Sequence, residues 1–215
     1  MYVRNNVCVG ASSIYTDNRH SSSIPWVEVT TINPPILPLN VKYSDMSGIA
    51  DVTIRDIQQR DNERMADIII SVLESYDAPK EGTAAADTSV LENIYETYEA
   101  FGKRSAYFVM EENDVVVGGC GVGHLPGEDE SISELQKMYF VPEARGKGYG
   151  RRIIEHCFMF ARQCGYKSIY LETLENMKEA QHLYLKMGFE YIKESMGNTG
   201  HTSCPVRMLK QFDDR

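Results

Sequence analysis

Residues 145–150 have the sequence Arg145-Gly146-Lys147-Gly148-Tyr149-Gly150. They lie between a predicted strand and a predicted helix, where the first helical N–H groups have no partner and carry the positive end of the helix dipole. Glycines at this point let the backbone approach a pyrophosphate without a Cβ in the way. Two further basic residues, Arg151 and Arg152, follow at once in a chain of formal net charge -9. The stretch therefore predicts a phosphate-binding turn.

The glycine spacing excludes two common nucleotide-binding turns. A P-loop needs Gly-x-x-x-x-Gly-Lys followed by Ser or Thr, and that spacing is absent. The dinucleotide fingerprint Gly-x-Gly-x-x-Gly also fails, because Gly146, Gly148 and Gly150 are spaced two and two. ATP and NAD are therefore poor candidates. An ordinary glycine-rich turn between a strand and a helix stays open as the alternative.

The hydrophobic pattern around this turn predicts an α/β domain with a mixed sheet. Runs of branched and aromatic residues predict strands over 52–56, 106–111, 115–124, 134–141, 167–173, 188–193 and 204–212. Apolar residues at helical spacing predict helices over 61–75, 88–101, 148–164 and 177–187. The order β-α-α-β-β-β-α-β-α-β-β is typical of a mixed sheet with crossover helices.

Residues 1–50 differ in composition from the rest of the chain. They are rich in Ser, Thr and Asn and hold four of the eight prolines, a composition that resists helix and central strand. We expect an extended or disordered N-terminal extension here, with a strand-like piece around 26–32, followed by one domain over 51–215. The alternatives for this extension are a transit peptide or a true start at Met46.

The overall composition narrows the class of protein. Apolar residues make up 42% and charged residues 25% of the chain, as in a globular domain with a core. A net charge of -9 repels nucleic acid and anionic membranes, so we expect neither as a partner. Five cysteines without a CxxC pair indicate neither a disulfide framework nor a metal site. Without an apolar run of roughly 20 residues or a secretory signal, the expected location is cytoplasmic.

Three motifs, in this order along the chain, resemble those of the GNAT superfamily of N-acetyltransferases. The acyl-CoA pyrophosphate signature of that family is similar to Arg145-x-x-Gly148-x-Gly150. The strand before the signature resembles residues 134–142, Glu-Leu-Gln-Lys-Met-Tyr-Phe-Val-Pro. The helix and strand after it resemble Ala180-x-x-Leu183-Tyr184-x-Lys186-x-Gly188-Phe189. The likeness covers about 52–212 and is sharp from 134 to 189.

This resemblance implies the GNAT acyl-CoA N-acyltransferase fold and acetyl-CoA as cosubstrate. In that fold a central, mostly antiparallel sheet is splayed between two strands and flanked by helices. Backbone N–H groups over 147–151 are implied to bind the pyrophosphate, and the edge of the 134–141 strand to pair with the pantetheine amides. The N–H of Met138 is implied to polarise the thioester carbonyl. The implied cofactor-binding residues are Met138, Phe140, Arg145, Gly146, Lys147, Gly148, Tyr149, Gly150, Arg151 and Asn176.

Asn176 departs from the family pattern by one position. Relatives often have an asparagine three residues before the alanine of the second helix, and Met177 stands there in this chain. The side-chain hydrogen bond that such an asparagine makes is therefore expected to be shifted or missing.

Tyr184 is the candidate general acid. It shares one face of its predicted helix with Met177, Ala180 and Met187, because these residues recur at spacings of three and four. On periodicity alone a packed core tyrosine is the alternative. The resemblance implies that its phenol, with an ordinary pKa near 10, protonates the departing thiolate.

Glu134 is the general base that the resemblance implies, acting directly or through water. A solvated glutamate at the strand end is the alternative, and Glu172, at the end of the next strand, is a competing base. His201 lies in a polar loop over 197–203, where it is either an exposed histidine or a group that orients or deprotonates an amine. Cys204 is expected to be a small buried residue.

The predicted activity is transfer of an acetyl group from acetyl-CoA to a primary amine by direct attack in a ternary complex. We expect a small-molecule amine as acceptor. The alternatives are an acetyltransferase for protein lysines or N-termini and a non-catalytic acyl-CoA-binding regulatory module. The expected assembly is a monomer or a homodimer.

Overall fold

Eight strands form one mixed sheet in a computed structural model, which describes residues 41–44, 51–83 and 88–213. The strands are β1 (Val41–Ser44), β2 (Asp51–Asp56), β3 (Ala106–Glu112), β4 (Val115–His124), β5 (Ile132–Phe140), β6 (Ser168–Thr173), β7 (Glu190–Ile192) and β8 (Val206–Gln211). Their order across the sheet is β1-β2-β3-β4-β5-β6-β8-β7. Every neighbouring pair is antiparallel except β5 and β6, which are parallel. All described residues belong to one compact unit.

Helices cover both faces of this sheet. They are α1 (Asn62–Ser75), α2 (Thr88–Glu92), α3 (Ile94–Phe101), α4 (Tyr149–Gln163) and α5 (Lys178–Lys186). Successive side chains of a strand point to opposite faces, so Tyr107 and Val109 of β3 pack in the cluster with α1 to α3. Phe108 and Met110 pack in the second cluster, with α4 and α5. The two helical layers therefore have separate cores on the two faces of one sheet.

The parallel strands β5 and β6 are paired over only three residues. The register joins Ile132 to Ser168, Ser133 to Ile169 and Glu134 to Tyr170, and it ends there. From residue 135 to 140, none of the described strands pairs with the edge of β5 that faces β6. The predicted mostly antiparallel sheet, splayed between two strands, is confirmed, and Glu134 marks the apex of the gap.

A β-bulge bends β5 inside this gap. Gly119 of β4 is paired with Tyr139, and Gly121 with Gln136, so a single β4 residue lies opposite two residues of β5. Lys137 is one of the two and has a φ of +47°, in the left-handed region. A bulge interrupts the regular ladder and redirects the strand. The register with β4 accordingly passes from Gln136 directly to Tyr139.

The prediction of one continuous helix over 88–101 is wrong in one respect. The structure has two helices there, α2 and α3, with a break at Asn93. The Asn93 side chain donates from Nδ2 to the Ser89 carbonyl at 2.8 Å. Short polar side chains compete in this way with the helical backbone bonds. The other predicted helices and strands are present with shifted ends.

The sheet begins earlier than predicted, because β1 lies within the segment assigned to the N-terminal extension. It pairs with β2 from Val41 opposite Ile54 to Ser44 opposite Asp51. The predicted strand-like piece over 26–32 and the alternative start at Met46 lie outside the described residues.

Candidate active site

The phosphate-binding turn leads into α4 with two left-handed glycines. Gly146 has a φ of +75°, and Gly148, the N-cap of α4, has a φ of +80°. A Cβ added at either position would meet no atom within 4 Å, so the need for glycine here is conformational. The N–H of Arg152 donates to the Gly148 carbonyl, so the N–H groups earlier in this first turn have no acceptor inside the helix. The turn has the geometry of an anion-binding helix N-terminus.

Two of the basic side chains at this turn have carboxylate partners. Lys147 Nζ lies 2.9 Å from both carboxylate oxygens of Glu112 on β3. Tyr149 donates to the same carboxylate at 2.6 Å, and these two contacts lower the pKa of Glu112. Arg151 pairs with Glu155 one turn further on, at 2.8 Å. Two of the four basic side chains near this turn, Lys147 and Arg151, are thus paired with carboxylates of the protein itself.

Arg145 and Asn176 both contact Tyr76, the residue that follows α1. The Arg145 guanidinium lies 5.7 Å from the ring centroid of Tyr76. Asn176 donates from Nδ2 to the Tyr76 carbonyl at 2.8 Å, which joins the loop before α5 to the end of α1. A direct contact of Asn176 with the cofactor stays a prediction.

Tyr184 of α5 contacts Met138 of β5. The Tyr184 hydroxyl lies 3.9 Å from the Met138 sulfur, and its ring packs edge-to-face on Phe189 at 5.7 Å. Gly150 adjoins the same contact, because a Cβ there would lie 3.1 Å from Met138 Cε. Burial raises the pKa of the Tyr184 phenol well above its usual value of 10. The phenol is therefore protonated at neutral pH and can donate a hydrogen bond beside β5.

Phe140 follows on the same strand. It lies opposite Gly118, where an added Cβ would collide with the Phe140 ring. Between Met138 and Phe140, β5 presents its edge to the gap. The Lys137 carbonyl, which belongs to the bulge, is fixed by a hydrogen bond. The Tyr107 hydroxyl donates to it at 2.8 Å.

Glu134 is buried at the apex of the gap, with 3% of its surface exposed. The alternative of a solvated glutamate at the strand end is therefore wrong. Burial is the main cause that raises the pKa of Glu134 to about 7. Gln136 donates from Nε2 to Glu134 Oε2 at 2.7 Å, and Tyr98 donates to Gln136 Oε1 at 2.6 Å. A fixed carboxyl with a pKa near neutrality is suited to general base chemistry.

Glu172, the competing base, has both oxygens occupied. Oε1 accepts a hydrogen bond from the Tyr170 hydroxyl at 2.6 Å, and Oε2 accepts one from Thr199 at 2.6 Å. In addition, Arg207 Nε lies 3.7 Å from Oε1 of Glu172. These contacts tie the 197–203 loop to β6. Glu172 is therefore arranged as an anchor for this loop, in contrast to Glu134.

His201 lies between the two carboxylates. Its Nδ1 is 3.8 Å from Glu134 Oε1 and 3.9 Å from Glu172 Oε2, and 19% of its side chain is exposed. Burial is the main cause that lowers the pKa of the imidazole. Nearby, burial raises the pKa of the Cys204 thiol to about 11, so this buried cysteine is protonated and unreactive, as expected.

Two residues of the site were missed by sequence reasoning. Gln136 carried a usable signal, because residues two apart on a strand share a face with each other and so place Gln136 beside Glu134. Tyr98 carried none, since it comes from α3 and lies 38 residues before Gln136 in the chain. In the described part of the chain, no group of three or more His, Cys, Asp or Glu side chains is placed to hold a metal ion.

A separate cavity of about 510 Å³ shares no lining residue with this site. Its buried Arg55 lies 2.7 Å from Asp61 and 2.5 Å from Glu111. The guanidinium is thus held by two acids from neighbouring elements, and it ties β2 to β3. Buried groups paired in this way are explained by the packing of the sheet edge.

Comparison with known sequences agrees with this geometry. The model of the Acetyltransferase (GNAT) family matches residues 69–189. An uncharacterized N-acetyltransferase of Escherichia coli (strain K12), YjgM, is 40% identical over 160 residues, which is 74% of this chain and 94% of that protein. Human N-acetyltransferase 8B is 32% identical over 95 residues, or 42% of this chain and 41% of that protein.

Solved structures share the fold. A GNAT-family acetyltransferase from Staphylococcus aureus Mu50 aligns with a TM-score of 0.66 and 22% identity, over 74% of this chain and 98% of that chain. The yncA protein of Salmonella typhimurium, solved with its cofactor acetyl-CoA, aligns with a TM-score of 0.61 and 23% identity, over 76% and 95%. Within the described ranges, no helix combines the length and apolar character that a membrane span requires.

Proposed function

The chain belongs to the acetyltransferase (GNAT) family of acyl-CoA-dependent N-acetyltransferases, and from this premise we propose that it acetylates the primary amine of a small molecule. The observation that carries the proposal is the buried Glu134 carboxyl, with a pKa of about 7, at the apex of the gap between β5 and β6. A base in that place is suited to an amine that enters beside the acyl group.

Two features of the chain fit acetyl-CoA as cosubstrate. The first turn of α4, entered through left-handed Gly148, supplies backbone N–H groups for the pyrophosphate. The β5 edge from Met138 to Phe140 pairs with no described strand toward β6, so we expect it to bind amides as in strand addition. Acetyl-CoA supplies an acyl group that its thioester activates toward amines.

Glu134 and Tyr184 divide the proton chemistry. Glu134 accepts a proton from the acceptor's ammonium group and frees the lone pair that attacks the acyl carbon. Tyr184 donates its phenolic proton to the sulfur as the C–S bond breaks, and bulk solvent later restores that proton. The Met138 N–H, at the bulge, donates to the acyl oxygen where negative charge develops.

The contacts of two loops favour a small acceptor over a protein. The N–H of Ser203 donates to the Gly82 carbonyl at 3.0 Å, and its hydroxyl donates to the Glu81 carbonyl at 2.9 Å. The loop after α1 is thus fastened to the loop that carries His201. A lysine on the surface of a folded protein can reach Glu134 only through an open groove. The hydrogen bonds between these two loops narrow the access to Glu134.

The test begins with calorimetric titration of acetyl-CoA, with NADH and ATP as controls. Release of free CoA thiol is then followed with a panel of small primary amines and, in parallel, with lysine-bearing peptides. We expect binding of acetyl-CoA alone and turnover with small amines that is lost in Glu134→Gln. Turnover only with peptides would contradict the small-molecule acceptor, and binding without any turnover would favour a regulatory module.

A further inference from the structure

We propose that His201 carries the proton from Glu134 to solvent in each turnover, and that the Glu172-anchored loop holds the imidazole in position for this. The inference rests on the proposed function, since it concerns the fate of the proton that Glu134 accepts as the base. It adds a residue that acts through Glu134 rather than on the substrate itself.

A buried base needs an exit for its proton. Glu134 is 3% exposed, and its Oε2 is occupied by the amide of Gln136. An amide N–H donates a hydrogen bond but does not pass a proton on at neutral pH, and Tyr98 behind it is itself buried. Among the described contacts of Glu134, the imidazole of His201 is the group that can both accept and release a proton and that reaches solvent.

The geometry places the imidazole on the free oxygen of the carboxyl. Nδ1 of His201 lies 3.8 Å from Oε1 of Glu134, which is too long for a direct hydrogen bond and short enough for a small side-chain rotation or one bridging water. A proton leaves the ammonium nitrogen for Oε1 and passes to Nδ1 of the Nε2–H tautomer, and a proton leaves Nε2 for solvent. Proton exchange with solvent then restores the Nε2–H tautomer before the next turnover. Only N–H and O–H bonds form and break, and nothing is oxidised or reduced.

The charges around the imidazole allow this transfer in both directions. The titratable or charged groups that face it are Glu134 and Lys137 on β5, Glu172 on β6, Cys204 before β8 and Arg207 on β8. Burial and then Lys137 lower the pKa of His201 from 6.5, and Glu172 opposes them. The pKa of Glu134 is about 7, so the imidazole is the weaker base of the two, and release of the proton from it to solvent completes the transfer.

The loop that carries His201 is fastened rather than free. Thr199 donates to Glu172 at 2.6 Å and accepts from the His201 N–H at 3.1 Å, so the anchor acts two residues before the imidazole. The N–H of Gly197 donates to Glu128 at 2.9 Å. With the bond from Ser203 to Gly82, contacts from three separate elements fix this loop. An exposed surface histidine does not need such support.

The experiment compares His201→Ala with His201→Gln and with the matched control His182→Ala, whose histidine is exposed on α5. Steady-state kcat, KM of the acceptor and acetyl-CoA affinity are measured with and without added imidazole in a weak buffer. For His201→Ala we expect kcat to fall at least about tenfold, with acetyl-CoA affinity unchanged and kcat restored by imidazole. His201→Gln fills the space, so its loss should not be rescued, and His182→Ala should behave as the unaltered protein.

Two outcomes would overturn the relay. One is an unchanged kcat in His201→Ala across the pH range. The other is a loss that imidazole does not restore and that falls on the KM of the acceptor, which would make His201 a substrate-binding residue. Absence of turnover in the unaltered protein with every amine would overturn the proposed function and, with it, the relay.

Discussion

The hydroxyl of Tyr184 lies 3.9 Å from the sulfur of Met138, whereas Glu134 lies four residues earlier on the same strand. Lys137 of the bulge lies between Glu134 and Met138 on β5, so Tyr184 contacts the strand on one side of Lys137 and Glu134 lies on the other. Each therefore serves a different partner, the departing sulfur at Tyr184 and the incoming amine at Glu134.

Tyr184→Phe should lower kcat by roughly ten- to a thousandfold, because it removes only the proton donor and leaves the packing on Phe189 in place. The affinity for acetyl-CoA should stay the same. Steady-state kinetics with calorimetric binding check this. Tyr191→Phe is the control, since Tyr191 is 53% exposed at the surface. An unaltered kcat in Tyr184→Phe would remove this residue from the mechanism.

Gly148→Ala should weaken acetyl-CoA binding, because a Cβ at a φ of +80° forces the turn out of the conformation that presents its N–H groups. Gly165 is the matched control: it follows the same helix, has a φ of +81°, and a Cβ there also meets no atom. Both variants should lose about 1 kcal/mol of stability. Only Gly148→Ala should bind acetyl-CoA less tightly in a calorimetric titration, and equal losses would argue against the phosphate turn.

Gly82→Ala should raise the KM for the acceptor and leave acetyl-CoA affinity unchanged. A Cβ at Gly82 would collide with Thr202 Oγ1 and lie 2.9 Å from the Ser203 nitrogen, so the two loops must separate. Gly102→Ala is the control, because Gly102 also has a positive φ but open space around it. If kinetics show the same acceptor KM in both variants, the loops do not border the acceptor pocket.

Glu134 should lower the stability of the folded protein at high pH. Its pKa is about 7 in the folded protein against an ordinary value of 4.5, so between these values the folded state holds a proton that the unfolded chain releases. Stability contributed by this group is therefore lost as pH rises from about 4.5 to about 7. The full effect is about 3 kcal/mol.

Urea unfolding of the unaltered protein and of Glu134→Gln at pH 5 and pH 8 measures this effect. The variant should gain stability relative to the unaltered protein on going to pH 8, since glutamine does not titrate. A difference between the two proteins that is independent of pH would mean that Glu134 is already ionised when it is folded.

Local patterns predicted the elements of the fold well, and they predicted the environment of the site poorly. Alternation and helical spacing are properties of neighbouring residues, so β4, β5 and α4 could be placed to within a few residues. The break at Asn93 depends on one side chain competing for the Ser89 carbonyl, which periodicity does not report. The burial of Glu134 depends on partners far along the chain, Tyr98 and His201, and nothing in the sequence pairs them with it.

The choice between the two carboxylates shows the same limit. On the sequence, Glu134 begins one predicted strand and Glu172 lies at the end of the next, both beside the expected gap. They differ in the structure because Glu172 is held by Tyr170 and by Thr199 from a distant loop, whereas Glu134 keeps one oxygen toward His201. That difference arises from tertiary contacts alone.

The central claim is that Glu134 is the base, and the pH dependence of kcat/KM tests it most directly. In the unaltered protein kcat/KM should rise with pH through about 7, because the carboxyl must lose its proton to act. Glu134→Gln should lose this rise of kcat/KM with pH, the rising limb of the profile, together with most of the rate. Glu172→Gln should keep the rising limb. A limb that persists in Glu134→Gln and disappears in Glu172→Gln would contradict the account and assign the base to Glu172.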